Sequence, residues 1–177
     1  MRRREFIAGL GGAAAWPVVA RAQQGDRVRR IGVLTAVSEI PAFAQRLADL
    51  GWTVGRNVQV DVRFLADNVD RVRALAKELV DLQPDVILAN TTPGTAALQR
   101  ETLVIPIVFM AVSDPVGSGF VASLPRPGGN ITGFIDTEAS MAGKWLELLI
   151  EIAPGVKRAA IMFNPDTAPG DGSYFLT

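Results

Sequence analysis

The chain has 177 residues, 49% of them hydrophobic and 20% charged, the balance of one ordinary globular domain. Its 18 basic and 18 acidic residues cancel, so nothing in the net charge favours nucleic acid as a partner. It contains no cysteine and no histidine, which excludes thiol chemistry, disulfides, most zinc sites and every histidine-based catalytic triad.

The first residues, MRRREFIAGLGGAAAWPVVARAQQ, read as an export signal. Arg2, Arg3 and Arg4 form a charged start. Phe6 to Ala20 is apolar but only 15 residues long, short of the roughly 20 that span a bilayer. Ala20-Arg21-Ala22 is a small-x-small cleavage pattern. The order Arg3-Arg4-Glu5-Phe6-Ile7 looks like a twin-arginine address. Gly9, Gly11, Gly12 and Pro17 argue against a buried or membrane-anchoring helix. Cleavage after Ala22 is therefore expected, giving a periplasmic protein without stable membrane insertion. Residues 1–22 carry four Arg and one Glu; the remaining 14 basic and 17 acidic residues leave the mature chain at −3, which suits a soluble protein.

Beyond a polar linker at 23–30, strand and helix patterns alternate. Ile31 to Thr35 reads as a buried strand, and Pro41 to Leu50 as a short helix stopped at Gly51. Val58 to Phe64 alternates apolar and polar residues, as a half-exposed edge strand does. Val69, Val72, Leu75, Ala76, Leu79 and Leu82 have helical spacing, ended by Pro84. Asp85 to Ala89 is the third strand. Thr92 is placed to cap the next helix, with Pro93 at its first position. Ile105 to Met110 is the fourth strand, and Asp114-Pro115 repeats the device for a short helix toward Leu124. Ile131 to Ile135 is a fifth strand, Met141 to Ile152 an amphipathic helix, and Ala159 to Phe163 a sixth strand. The carboxylates Asp61, Asp67 and Asp70 read as a solvated face.

This order predicts an α/β fold: a Rossmann-like parallel sheet with helices on both faces. Ligands of such sheets sit beyond the carboxyl ends of the strands. NTTPGTAAL, Asn90 to Leu98, lies at such an end and opens a helix, whose free amides and positive dipole favour an anion such as a carboxylate. Thr91 and Thr92 add hydroxyls there, and Ser113 and Asp114 hold the same place after the next strand. The alternative use of Thr92 and Asp114 is to cap their own helices. No GxGxxG, GxxxxGK[ST] or GxSxG follows a strand, and no spacing pairs a nucleophile with a base. No enzyme activity, cofactor or metal is expected.

Taken in order, RRREFIAGLGGAAAWPVVARAQQ, RIGVL, LGWTVGRNVQVDVRF, DVILANTTPGTAALQRET, IPIVFMAVSDPVGSGFVASLPRPGGNITGF and KWLELLIEIAPGVKRAAIMFNPDTAP resemble the substrate-binding proteins of ABC transporters, in the family of tryptophan/tyrosine-type uptake systems. The resemblance implies the first lobe of a type I periplasmic binding protein at 31–132 and a crossing segment with an incomplete second lobe at 133–177. It implies a small organic solute, an amino acid among the options, held in an interlobe cleft and delivered to a membrane permease. Thr35, Asn90, Thr91, Thr92, Ser113, Asp114 and Asn164 would line that cleft, and Asn130, Thr132 and Gly133 would belong to the hinge. Relatives run to about twice a single-domain length, so a truncated second lobe that impairs binding is expected. The alternatives are an interaction or dimerisation module working through the exposed Met141 to Phe163 segment, and a nonfunctional fragment.

Overall fold

Parallel strands buried on both faces appear in sequence as continuous apolar runs, and the runs RRIGVLT, VILAN and IVFMAV form the centre of one sheet. The computed structural model describes residues 27–37, 41–65, 68–138 and 140–164. The expected export signal, Asp67 and the tail 165–177 lie outside the described residues. The elements are β1 (Arg29–Thr35), α1 (Pro41–Asp49), β2 (Val58–Phe64), α2 (Val69–Asp81), β3 (Val86–Asn90), α3 (Thr92–Glu101), β4 (Ile107–Val112), β5 (Ile131–Ile135) and α4 (Met141–Ile152). The strands lie in the order β2-β1-β3-β4-β5 and all pair in parallel. Each parallel step needs a crossover; α1, α2 and α3 supply the first three, and the turns between Val112 and Ile131 supply the last.

Side-chain alternation sends Leu34, Ile87, Ala89, Ile107, Phe109 and Ile131 to one face. There they meet Val72, Leu75, Ala76 and Leu79 of α2 and Ala97 and Leu98 of α3, all buried in one cluster. Each such large side chain contributes about 1.5–3 kcal/mol by leaving water. Asn68 caps the start of α2, its Oδ1 accepting from the amides of Asp70 (2.8 Å) and Arg71 (3.2 Å). Gly51, at φ 87, ends α1 as the left-handed residue past the helix. On the opposite face α1 lies over the start of β1. Leu47 and Trp52 there border a cavity of about 420 Å³ with Ile31, Val58 and Val86, and the Arg29–Asp85 pair at its edge. No helix among the described residues is long and apolar enough to cross a membrane.

Four expectations change. β1 begins at Arg29 and β4 at Ile107, so Pro106, which has no amide to donate, stays outside the ladder while its carbonyl accepts from Ile87. The helix expected from Asp114 toward Leu124 is a set of turns. Gly117 and Gly119 (φ 71) break the run, and the amide of Phe120 folds back on the carbonyl of Pro115 at 2.9 Å. The sixth strand does not form. Residues 159–163 have neither strand nor helix, because no described strand lies beside them to take up their backbone groups. Asp61 is not simply solvated: its Oδ2 lies 3.2 Å from Arg30 Nε, an ion pair too bent to count as a hydrogen bond.

Candidate ligand-binding site

The parallel ladder brings the carboxyl ends of β1, β3 and β4 side by side. Leu34 pairs with Ala89, and Asn90 with Met110. Thr35 and Asn90, the last residues of β1 and β3, are both buried. Thr35 Oγ1 accepts from the amide of Val37 at 3.1 Å and donates to its carbonyl at 3.4 Å, turning the chain sharply out of β1. Asn90 Oδ1 accepts from the amide of Ala36 at 3.2 Å and ties that turn to β3.

Thr91, not Thr92, takes the cap position of α3, and neither its hydroxyl nor any other side chain caps the helix. Its backbone has φ 76 and ψ 157, a region essentially reserved for glycine. Three bonds hold it there. Its amide donates to the carbonyl of Met110 (3.1 Å), and its carbonyl accepts from Thr95, from the amide at 3.1 Å and from Oγ1 at 2.9 Å. Thr91 Oγ1 is buried and has no hydrogen-bond partner among the described residues. Thr92 is the first helical residue, half-buried, and Pro93 follows it. Pro93 carries no amide, so the amides of Thr92 and Gly94 represent the first turn at the helix opening. Ala111, one residue beyond Met110, also has positive φ, 55. Two strained non-glycine residues therefore flank the ends of adjacent strands. Nothing in the sequence announces Ala111, since alanine has no preference for that conformation.

Ser113 is half-buried beyond the end of β4. Asp114 beside it serves its own loop: Oδ1 accepts from the amide of Gly117 at 2.8 Å, and its carbonyl from Ser118 at 3.0 Å. For this residue the capping role is the one realised, on a turn rather than a helix. Asn164 is exposed after a stretch with no regular structure, so no element places it against the strand ends. Asn130 lies at the opposite pole from the site, at the amino ends of β4 and β5. Its Nδ2 donates to the carbonyls of Ile105 (2.8 Å) and Thr102 (3.4 Å), and its own carbonyl accepts from Ile107 (2.8 Å). Thr132 is exposed on β5, and Gly133 lies over Phe109 so closely that a Cβ there would collide with the Phe109 carbonyl and ring.

The site gathers polar side chains at the strand ends, Thr35 and Asn90 buried and Thr91, Thr92 and Ser113 half-buried. Residues 36–170 match the ABC transporter substrate binding protein family, and the chain belongs to that family, one of binding proteins rather than enzymes. Particular relatives sharpen the likeness. A tyrosine-binding protein from Clostridioides difficile is 34% identical over 122 residues, 69% of this chain and 35% of the relative. The crystal structure of a conserved domain protein from Vibrio cholerae superposes with a TM-score of 0.74 at 33% identity, over 85% of this chain and 52% of that one. An ABC domain in complex with L-Trp from Streptococcus pneumoniae gives 0.65 at 31% identity, over 73% and 45%. The chain thus spans about half the length of these solved relatives, and less of the curated one.

Proposed function

We propose that this chain supplies one wall of the solute cleft of an ABC-type uptake system, outside the cytoplasm, with an amino acid as the solute and a membrane permease as the recipient. The observation that carries it is Thr91: a threonine in a glycine-only conformation, with a buried unpartnered hydroxyl, at the opening of α3 between Asn90 and the end of β4. Strain of this kind persists where the surrounding structure enforces it, and it concentrates at ligand sites. The helix opening suits the carboxylate of an amino acid, and the Thr91 hydroxyl can either donate or accept. Two relatives carry tyrosine or tryptophan in their descriptions, which favours an aromatic amino acid. On this reading the first 22 residues are a twin-arginine export signal cleaved after Ala22, Asn130, Thr132 and Gly133 begin a hinge, and Thr35, Asn90, Thr91, Thr92 and Ser113 face the solute.

A single wall buries far less of a ligand than a closed cleft, so affinity should be weak, in the millimolar range. Titrating L-tyrosine and L-tryptophan into the isotopically labelled chain, and following amide shifts by NMR, tests the reading. Shifts gathered at residues 35–36, 90–95 and 110–114 support it. Shifts confined to the opposite pole of the sheet, or none with either amino acid, would reject it.

A further inference from the structure

Near its carboxyl end β4 holds one residue more than β5 can match. Phe109 pairs with Gly133 and Val112 with Ile135, so three steps on β4 meet two on β5. Two further observations mark the same place. Phe109 and Val112 would fall on opposite faces of a regular strand, yet both are fully buried in one core cluster. Ala111 between them has φ 55, a conformation that residues with a side chain seldom adopt. Together these define a β-bulge with Ala111 as the extra residue. Bulges are rare between parallel strands, and they gather beside functional sites, where they end pairing or re-aim a strand.

The pairing that ends here is the one with β3. The amide of Ile87 donates to the Pro106 carbonyl at 2.9 Å, and that of Thr91 to the Met110 carbonyl at 3.1 Å. Both are rungs of one evenly spaced parallel ladder, in which such a residue of β3 gives its amide to β4 and takes an amide back on its carbonyl. For Thr91 the returning donor on a regular β4 would be Val112, the second residue after Met110. The bulge gives Val112 to β5 instead, opposite Ile135. The Thr91 carbonyl is left to Thr95, which donates to it from its amide (3.1 Å) and from Oγ1 (2.9 Å). Helix α3 can therefore open directly at the strand end, and β3 and β4 part beyond Asn90 and Met110, their last pair among the described residues. The two strained residues, Thr91 and Ala111, stand on either side of that last rung. Resting on the solute reading above, we propose that Ala111 is a positioning residue of the site: its bulge parts β4 from β3 and frees the Thr91 carbonyl to start α3.

Deleting Ala111 removes the extra residue while leaving Val112 opposite Ile135 and both core side chains on their face. The second residue after Met110 is then Ser113, whose amide can close the next rung on the Thr91 carbonyl. The deletion variant should fold, exchange its Ser113 amide more slowly, and bind L-tyrosine or L-tryptophan about tenfold more weakly in the NMR titration. A merely structural role would move stability and leave affinity alone. Ala111→Gly keeps the positive φ without strain and, as the conservative variant, should bind within about twofold of the parent. Ala111→Val keeps the chain length but disfavours that φ through its branched side chain, and should bind about three- to tenfold more weakly. A parent that binds, beside a folded deletion variant with equal affinity or with unchanged exchange at Ser113, overturns the positioning role alone. Where the deletion variant does not fold, Ala111→Val binding as tightly as Ala111→Gly does the same. A parent that binds neither amino acid overturns the solute reading and this role with it.

Discussion

Asn90 Oδ1 accepts the amide hydrogen of Ala36 at 3.2 Å, across 54 residues of sequence. The bond joins the end of β3 to the turn leaving β1, so two strand ends of the candidate site are held by one side chain. Asn90 is buried whereas Ala36 is exposed, so water can satisfy the Ala36 amide if the asparagine is lost. Asn90→Ala should therefore cost about 1–2 kcal/mol, from the lost bond and a small cavity. Faster hydrogen exchange at Ala36 and a shifted urea midpoint are the readouts. Unchanged protection at Ala36 would mean that the side chain does not hold the turn.

Gly133 and Phe109 form a tighter relationship. An added Cβ at Gly133 would lie 2.6 Å from both Cγ and Cδ2 of Phe109, besides striking its carbonyl. Phe109 is fully buried, and its carbonyl belongs to the backbone, so neither can swing aside. Gly133→Ala should destabilise the chain by about 1–3 kcal/mol, as overpacking does. Phe109→Ala in the same sheet should cost about 3–5 kcal/mol by leaving a cavity. A Gly133→Ala variant within about 0.5 kcal/mol of the parent in chemical denaturation would show that β5 shifts freely away from β4.

The strands were legible because their signal is local: RIGVL, VILAN and IVFMAV are apolar runs. The spacing of Val72, Leu75, Ala76 and Leu79, with Pro84 after it, marked α2 equally well. Residues 159–163 look just as strand-like, but a strand exists only where another accepts its hydrogen bonds, and that is not written in its own residues. The site was legible as a place, through the rule that parallel sheets bind at their carboxyl ends. Its details were not. The sequence points to Thr92 as the cap, but in the structure the cap position and the strain fall on Thr91, which follows the ladder between Asn90 and Met110. Asp114 could have faced a ligand, but two nearby glycines gave it a turn to hold.

At the other pole of the sheet, Asp85 is held by charge. Its Oδ2 accepts from the Arg30 amide at 2.8 Å and its Oδ1 from Arg29 Nη1 at 2.9 Å, with Arg27 Nη2 3.5 Å away. The Arg30 amide above all, then the Arg29 side-chain bond and the charges of Arg27 and Arg29, outweigh burial and hold its carboxyl below the ordinary 3.8. The folded chain therefore binds this proton more weakly than the unfolded one. The resulting stability is complete above the unfolded value and is lost as pH falls through the lower folded value. Asp85→Asn should cost about 1–2 kcal/mol at neutral pH, the worth of a charge-assisted bond in a part-buried site. The gap between parent and variant should narrow below about pH 4. Denaturation curves at neutral pH and near pH 3 check this. A difference independent of pH would point to shape rather than charge.

Thr91 sets stability against binding. Its φ of 76 and ψ of 157 cost a side-chain-bearing residue about 1–3 kcal/mol. Glycine adopts the same conformation freely but loses more entropy on folding. Thr91→Gly should therefore stabilise the free chain by about 1 kcal/mol, or leave it unchanged. Thr91→Val keeps the shape and the strain but removes a buried oxygen that lacks a partner among the described residues, so its stability should match or exceed that of the parent. Both variants delete the hydroxyl proposed to meet the solute. Each should weaken L-tyrosine or L-tryptophan binding about 5- to 30-fold, the range of a hydrogen bond worth 1–2 kcal/mol. Thr91→Ser retains the hydroxyl and should stay close to the parent. Thermal unfolding of the free variants and the NMR titration together separate the two effects. A Thr91→Val chain that binds as well as the parent would remove Thr91 Oγ1 from the site and leave its backbone conformation without a functional explanation.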